Sequence, residues 1–234
     1  MQIQVELQDM MGSDRSIAEA AWTSSTTLQG KTKRTDEDVA RVVRMLIEHK
    51  HASPIEAVVL RFWIKMPIAI DRQHMTHRIA SHNGMSGRYR TMPDEFLDIP
   101  DDVQTIIKKL PYADNGTSWQ RGIDDHYKVL CYKANIFYKE SMEYIKQCKN
   151  EKHITNDEYK RCREFLRGVL PQHNMTERIT VMNLRSFANY QKLRNSEHAQ
   201  PEIRQIAELM LDSVKKANIA PVAISVLEEN GWNI

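Results

Sequence analysis

The sequence is poor in cysteine, in surplus charge of either sign and in long apolar runs. Its three cysteines, Cys131, Cys148 and Cys162, are widely spaced and form no CxxC pair, so neither a zinc knot nor a dithiol redox motif is supported. Reduced cysteines that pack between helices in a cytoplasmic protein are the favoured interpretation. No apolar run approaches the roughly 20 residues of a membrane-spanning helix, and we expect no membrane association.

The balance of acidic and basic residues limits the classes of molecule that the chain is expected to bind. The 33 Lys and Arg residues nearly match the 31 Asp and Glu residues, and the net charge is +2. Broad nonspecific nucleic-acid binding needs a strong basic surplus, so we expect no nucleic-acid partner. A local basic site for a small anion stays open.

The composition, 41% hydrophobic and 27% charged residues among 234, is typical of a globular protein. There is no internal repeat, low-complexity tract or clear boundary, so we expect one domain over residues 1–234. Residues 91–121 hold three prolines and an Asn115-Gly116 turn, which predicts a loop-rich excursion, a candidate lid, with one short helix at 101–109.

Hydrophobic periodicity predicts the secondary structure. Alternation of Ile3, Val5 and Leu7 with polar neighbours predicts a half-buried strand and not a signal peptide. Similar patterns predict strands at 58–66 and 178–183. Helical spacing and capping residues predict helices at 14–21, 35–49, 124–149, from 155, 185–195, 202–217 and 221–229. A further helix is expected from Pro67 to about Ile79, followed by a loop that contains Gly84 and Gly87. The sum is an α/β (α+β-like) fold with more helix than strand.

Residues 71–90, DRQHMTHRIASHNGMSGRYR, hold more Arg, His, Ser and amide side chains than any other stretch of the same length. His74, His77 and His82 do not form an HExxH motif, and four neighbouring arginines would repel a metal cation, so we expect no metal site. Ser86 lacks the GxSxG frame of a nucleophile elbow. A phosphate cradle fits better.

Three features of this stretch suit an anion. Gly84 and Gly87 allow backbone N–H groups to approach it, Ser86 can donate a hydroxyl, and Arg88 can grip two phosphate oxygens. A second polar run, NLRSFANYQKLRNSEHAQ from residue 183, is rich in amides and short of acids. Its Arg and His side chains lie one helical turn from another polar residue, so each pair can share a helix face.

Taken together, these residues resemble the flavin-dependent thymidylate synthases. RQHMTHRIASHNGMSGRYR is similar to the family signature R-Q-x-x-R-H-R-x-x-S-x-N-E-x-S-x-R-Y. HKHASPIEA, RGVLP, NLRSFANYQKLRNSEHAQPEI and the opening MGSDRSIAEAAWTSS resemble further family segments in the same order. The resemblance implies a compact α/β fold, a homotetramer with shared active sites, and FAD as the cofactor. It also implies hydride from NADPH and transfer of a methylene from methylenetetrahydrofolate to C5 of dUMP.

The resemblance also implies roles for individual residues. Arg194 and His77 are the candidate catalytic residues, and Arg194 would stabilise negative charge on the uracil ring. The flavin-site candidates are Ser24, Ser53, Glu56, His77, Arg78, Ile79, Asn183, Arg185, Asn189 and His198. The nucleotide-site candidates are Gln73, Ser86, Gly87, Arg88, Arg167 and Arg194.

Three positions depart from the family pattern. Thr76 stands where the signature has Arg, Gly84 where it has Glu, and Ala57 where His usually follows Glu56. Loss of one cation and one anion nearly preserves the net charge, so these two changes can be a compensated pair. They leave two alternatives open. One is a relative that methylates or hydroxymethylates another pyrimidine deoxynucleotide such as dCMP, and the other is a non-catalytic nucleotide-binding module.

Overall fold

The computed structural model describes residues 2–24, 34–110 and 119–233, without the side chains of 119–122. The described part contains four strands: β1 (Gln4–Met11), β2 (Val59–Pro67), β3 (Ser81–Gly84) and β4 (Met175–Asn183). Its helices are α1 (Asp14–Trp22), α2 (Asp36–Glu48), α3 (Ile68–His74), α4 (Asp101–Ile107), α5 (Trp119–Asn150), α6 (Asn156–Leu166), α7 (Leu184–Arg194), α8 (Pro201–Lys216) and α9 (Pro221–Glu229). The predicted α/β class, with more helix than strand, is confirmed.

Backbone contacts divide the chain into two units. Unit 1 comprises Met1–Gln2, Met66–Ala69 and Met85–Thr176, and unit 2 comprises Ile3–Lys65, Ile70–Gly84 and Glu177–Ile234. The single domain over 1–234 stays a prediction.

The four strands form one sheet in the order β1-β2-β4-β3. β1 and β2 are antiparallel, with Val5 opposite Ile64, and the register shifts between Leu7 and Asp9. β3 and β4 are also antiparallel, with Gly84 opposite Arg178. This second pairing brings residues 81–84 beside a strand almost 100 residues later in the chain.

The core of unit 2 lies on the apolar faces of β2 and α8. Alternate β2 residues are fully buried, and Phe62 stacks on Phe187 of α7 with ring centroids 6.0 Å apart. α8 packs on β1, and α9 packs on α2. Burial of each large side chain contributes about 1.5–3 kcal/mol, so the sheet is a rigid base for the side chains that α3 and α7 present.

Capping residues set several helix starts where the sequence predicts them. Ser13, Thr35 and Thr155 each form a capping box with the residue three positions later. A cap that the sequence did not indicate joins distant segments of unit 2. The Asp14 carboxylate accepts hydrogen bonds from the backbone N–H groups of Val222 and Ala223, at 3.0 and 2.9 Å, and so caps the first turn of α9.

The helix predicted from Pro67 to Ile79 is wrong at its C-terminal end, because α3 stops at His74. The amide of Thr76 bonds to the carbonyl of Gln73, and the Thr76 hydroxyl donates to that same carbonyl at 2.7 Å. Such a side-chain bond competes with helix continuation. Gly84, predicted in a loop, lies in β3, and Ile79 is 67% exposed in the turn before that strand.

Unit 1 contains the predicted excursion and the two helices that follow it. The short helix expected at 101–109 is confirmed as α4 at Asp101–Ile107, whereas residues 111–118 lie outside the described part. α5 packs on α6, and the buried amides of Asn135 and Asn174 bond to each other in both directions. In the described chain, no helix is both long enough and apolar enough to cross a membrane.

Candidate active site

A buried hydrogen-bond network joins α3, β4 and α7 in unit 2. His74 is fully buried, with Nδ1 2.8 Å from the Tyr190 hydroxyl and Nε2 2.9 Å from Thr180 Oγ1. Burial, and then the neighbouring charges of His82 and Arg178, lower the pKa of His74 to about 3. His74 is therefore neutral at physiological pH and fixes Tyr190, whose pKa burial raises.

His77, a candidate catalytic and flavin-site residue, is 5% exposed and lies edge-on to Tyr190. Its Nε2 is 2.8 Å from Ser186 Oγ, and Ser186 donates its own hydroxyl hydrogen to the carbonyl of Ile79. Nε2 must therefore carry the hydrogen, which leaves Nδ1 as an acceptor. Burial lowers the pKa of His77, and the positive charge of Arg194 lowers it further. The ring is a neutral, oriented imidazole.

Arg194, the last residue of α7, is the other catalytic candidate. Its Nη2 donates to the Thr76 hydroxyl at 2.7 Å, while its Nε is buried and has no hydrogen-bond partner among the described residues. Gln73 Oε1, on α3 of the same unit, is likewise buried without a hydrogen-bond partner among the described residues. A buried polar atom left unpaired costs about 1–3 kcal/mol, and such atoms are typical of sites where a ligand supplies the missing bond.

The remaining flavin-site candidates of unit 2 lie on a few short segments. Ser53 and Glu56 belong to the 3-10 helix Ser53–Ala57, which packs against α1 and α7. Glu56 accepts an ion-pair bond of 2.7 Å from Arg185 on α7. Asn183 caps α7 by accepting the backbone N–H of Ser186 at 2.9 Å. The structure thus joins Glu56 directly to Arg185, and Asn183 fixes the start of α7, the helix that carries Arg185.

Other flavin-site candidates are held locally. Ser24 donates to the carbonyl of Ala21 at the end of α1, and the amide of His198 bonds to Ser196 just beyond α7. Asn189 is half-buried one helical turn after Arg185. Arg78 and Ile79 are exposed in the turn that precedes β3.

Four nucleotide-site candidates lie together in unit 1. The Ser86 carbonyl accepts backbone bonds from Tyr89 and Arg90, so residues 86–90 form a tight turn. A methyl group added to Gly87 would lie 3.0 Å from Cδ of Arg167, so Gly87 is what allows Arg167 to pack on this turn. Arg88 Nε lies 2.7 Å from Glu164 Oε1 in an ion pair.

An ion pair that sequence reasoning missed lies beside Gly84 in unit 2. The Arg178 guanidinium grips Asp71 through Nε and Nη2, the latter 2.7 Å from Oδ2, and both residues are buried. A Cβ added to Gly84 would lie 2.8 Å from Arg178 Nη2. Arg178 therefore fills the space into which a side chain at position 84 would project. Asp71, an acid in a basic stretch, was the available signal.

Among the described residues, no group of three or more His, Cys, Asp or Glu side chains could hold a metal ion. The three cysteines are free, with Cys131 buried and Cys148 and Cys162 half-buried. The histidines of the signature stretch instead bond to hydroxyl groups and backbone. These histidines therefore serve as hydrogen-bonding groups in the described structure.

Comparison with known proteins agrees with this chemistry. Residues 6–222 match the family described as Thy1, thymidylate synthase complementing protein. The flavin-dependent thymidylate synthase of Thermus thermophilus is 32% identical over 226 residues, 97% of this chain and 76% of that protein. The enzyme of the same name from Thermosipho africanus is 34% identical over 214 residues, 87% of this chain and 82% of that protein. The chain belongs to the Thy1 family, and the resemblance drawn from its motifs is confirmed.

A solved structure supports the fold. The UMP/dUMP methylase PolB from Streptomyces cacaoi, bound with 5-Br dUMP, superposes with a TM-score of 0.74. It is 24% identical, and the match covers 99% of this chain and 97% of that one. At this identity the likeness speaks for the architecture alone.

Proposed function

We propose that the chain is a flavin-dependent thymidylate synthase that reductively methylates dUMP at C5. Methylenetetrahydrofolate would be the carbon donor, FAD the cofactor and NADPH the reductant. Family membership supports the class of enzyme. The observation that carries the proposal is a pair of buried atoms, Arg194 Nε and Gln73 Oε1, that have no hydrogen-bond partner among the described residues. They lie at two of the six positions that the resemblance assigns to the nucleotide.

The residues of unit 2 fit a bound flavin. Ile79 offers an exposed apolar side chain, His77 two residues earlier contributes a buried neutral ring, and Arg185 is oriented by Glu56. These residues, with Asn183 at the start of α7, would hold the cofactor and exclude water from one face. Bound FAD supplies the hydride chemistry, and the protein supplies orientation and electrostatics.

The nucleotide would be bound through charge and hydrogen bonds. Taken by itself, unit 1 offers Arg88, the turn at Ser86 and Gly87, and Arg167, which suit a phosphate group. Arg194 suits the uracil ring, because a fixed cation stabilises negative charge that develops as C5 becomes nucleophilic. The neutral His77 adds no second positive charge to that environment.

We also propose a cytoplasmic homotetramer with active sites shared between subunits. Large apolar side chains are exposed along α5 and α6 of unit 1, including Leu130 at 67%, Tyr144 at 66% and Phe165 at 71%. Exposed apolar surface of this kind is typical of an interaction face. Light scattering of the purified protein tests the tetramer, and a monomer at micromolar concentration would contradict it.

Two measurements test the function. The purified protein should be yellow, and it should release tritium from [5-³H]dUMP when methylenetetrahydrofolate and NADPH are present. The matched control is Arg194→Ala, which should retain the flavin spectrum and lose tritium release. A colourless protein that FAD cannot reconstitute would contradict the proposal.

A second candidate function keeps the flavin and changes the nucleotide or the product. It is favoured by Gly84, which lacks the carboxylate of the family signature. Arg178 occupies the space into which that side chain would project. Such an enzyme would methylate or hydroxymethylate a pyrimidine such as dCMP. Incubation with dUMP and dCMP in parallel, followed by mass analysis of the products, separates the two candidates.

A further inference from the structure

Thr76 occupies a bridging position in unit 2. Its hydroxyl donates to the carbonyl of Gln73 at 2.7 Å and accepts from Nη2 of Arg194, also at 2.7 Å. A threonine hydroxyl has a single hydrogen. Because that hydrogen is directed at the carbonyl, the oxygen facing Arg194 can only accept. One exposed side chain thereby ties the end of α3 to the end of α7.

Arg194 depends on this bond for its orientation. Among the described residues, no carboxylate lies within ion-pair distance of Arg194, so none of them neutralises its positive charge. A free arginine side chain has rotamer entropy to lose when it is held in one orientation. The bond to Thr76 restrains the guanidinium before a ligand arrives, and preorganised charge is what stabilises a transition state most.

Two of the residues that Thr76 contacts carry buried polar atoms to which a ligand could supply hydrogen bonds. Within the described part of the chain, Arg194 Nε is a buried donor without a partner, and Gln73 Oε1 is a buried acceptor without a partner. Thr76 links the two residues that carry these atoms, through the backbone of Gln73 and the side chain of Arg194. A uracil edge presents both an N–H donor and carbonyl acceptors, and so can satisfy both atoms.

We propose that Thr76 is a positioning residue that holds the Arg194 guanidinium and Gln73 in register for the pyrimidine ring. This inference rests on the proposed function, and it explains why a hydroxyl suffices where the family signature has an arginine. The hydroxyl orients a single cation, whereas a second arginine here would need its own anionic partner.

The test compares Thr76→Val, which removes the hydroxyl at nearly constant shape, with Thr76→Ser, which keeps it. Hydrogen bonds to charged groups are worth about 1.5–3 kcal/mol, so Thr76→Val should lower kcat for dUMP by roughly 10- to 150-fold. Thr76→Ser should stay within about threefold of the wild type. FAD binding and the melting temperature should change little in either variant.

Thr105→Val is the matched control. Thr105 is exposed, and its hydroxyl donates to the carbonyl of Asp101 at 2.8 Å within α4. Thr105→Val therefore loses a hydroxyl-to-carbonyl hydrogen bond like that of Thr76, but at a residue that does not contact Arg194. This variant should keep the wild-type kcat. In an Arg194→Met background, Thr76→Val should have no further effect on the Kd for dUMP, because the residue it positions is gone.

Each outcome decides the matter. Wild-type kcat in Thr76→Val, or a Thr76→Ser variant as impaired as Thr76→Val, overturns the inference. If the wild type releases no tritium from dUMP, the proposed function fails, and calorimetry of dUMP binding then judges Thr76 alone. In that case a Thr76→Val Kd raised tenfold or more supports the positioning role, and an unchanged Kd, or no dUMP binding by the wild type, overturns it.

Discussion

Removal of Asp71 should destabilise the protein more than a typical surface change. Its partner Arg178 is buried and is held by two bonds to that carboxylate. Asp71→Ala strands the guanidinium away from water, which costs about 3–5 kcal/mol of unfolding free energy. Gly84→Ala presses a methyl group to within 2.8 Å of Nη2 while Asp71 holds the guanidinium in place, and overpacking of this kind costs about 1–3 kcal/mol.

The double variant Asp71→Ala/Arg178→Met makes the test specific. It removes both charges and puts an apolar side chain in the pocket, so it should lose much less stability than the sum of the losses in the single variants Asp71→Ala and Arg178→Met. Urea unfolding at one fixed protein concentration compares the wild type, the two single variants of the pair and the double variant, because an oligomer's stability depends on concentration. Gly84→Ala is measured in the same way. Additive losses, or an Asp71→Ala cost below about 1 kcal/mol, would refute the reasoning.

Three further outcomes are expected. Arg88→Ala should weaken dUMP binding by about 1.5–3 kcal/mol and FAD binding little, and equal loss of both ligands in titrations would contradict its role. The folded pKa of His74 is about 3 against roughly 6.5 unfolded. As the pH falls below 6.5, the unfolded chain takes up this proton first, so urea melts should lose stability by up to about 1.4 kcal/mol per pH unit. His74→Asn should flatten that slope, and an unchanged slope would contradict the assignment. Thr155→Ala should cost about 1 kcal/mol in thermal melts through loss of the α6 cap, and Thr105→Val is its control.

Local signals predicted most of the fold. The capping boxes at Thr35 and Thr155 each involve only four consecutive residues, so they can be recognised in the sequence. Hydrophobic periodicity over ten or more residues predicted α2, α5 and α8. The end of α3 could not be found in this way. The helical spacing continues to Ile79, but the antiparallel pairing of β3 with the distant β4 decides the conformation of residues 81–84. Non-local pairing overrides a local period.

For the candidate site, too, the sequence indicated local features but not the contacts between distant residues. Motif resemblance supplied its residues, and the structure places Arg88, Gly87 and Arg167 together in unit 1 and Arg185 with Glu56 in unit 2. Their roles toward flavin and nucleotide stay predictions. The contacts that explain the departures are separated by 118 residues for Thr76 with Arg194 and by 107 for Asp71 with Arg178. No spacing rule in a single sequence connects positions so far apart.

The most direct test is the nucleotide product of one complete reaction. The yellow protein would be incubated with dUMP, methylenetetrahydrofolate and NADPH, and the product identified by mass and by comparison with authentic dTMP. We predict dTMP, which is dUMP enlarged by one CH₂ group. A hydroxymethylated product, turnover of dCMP alone, or no product from the flavin-loaded protein would contradict the account.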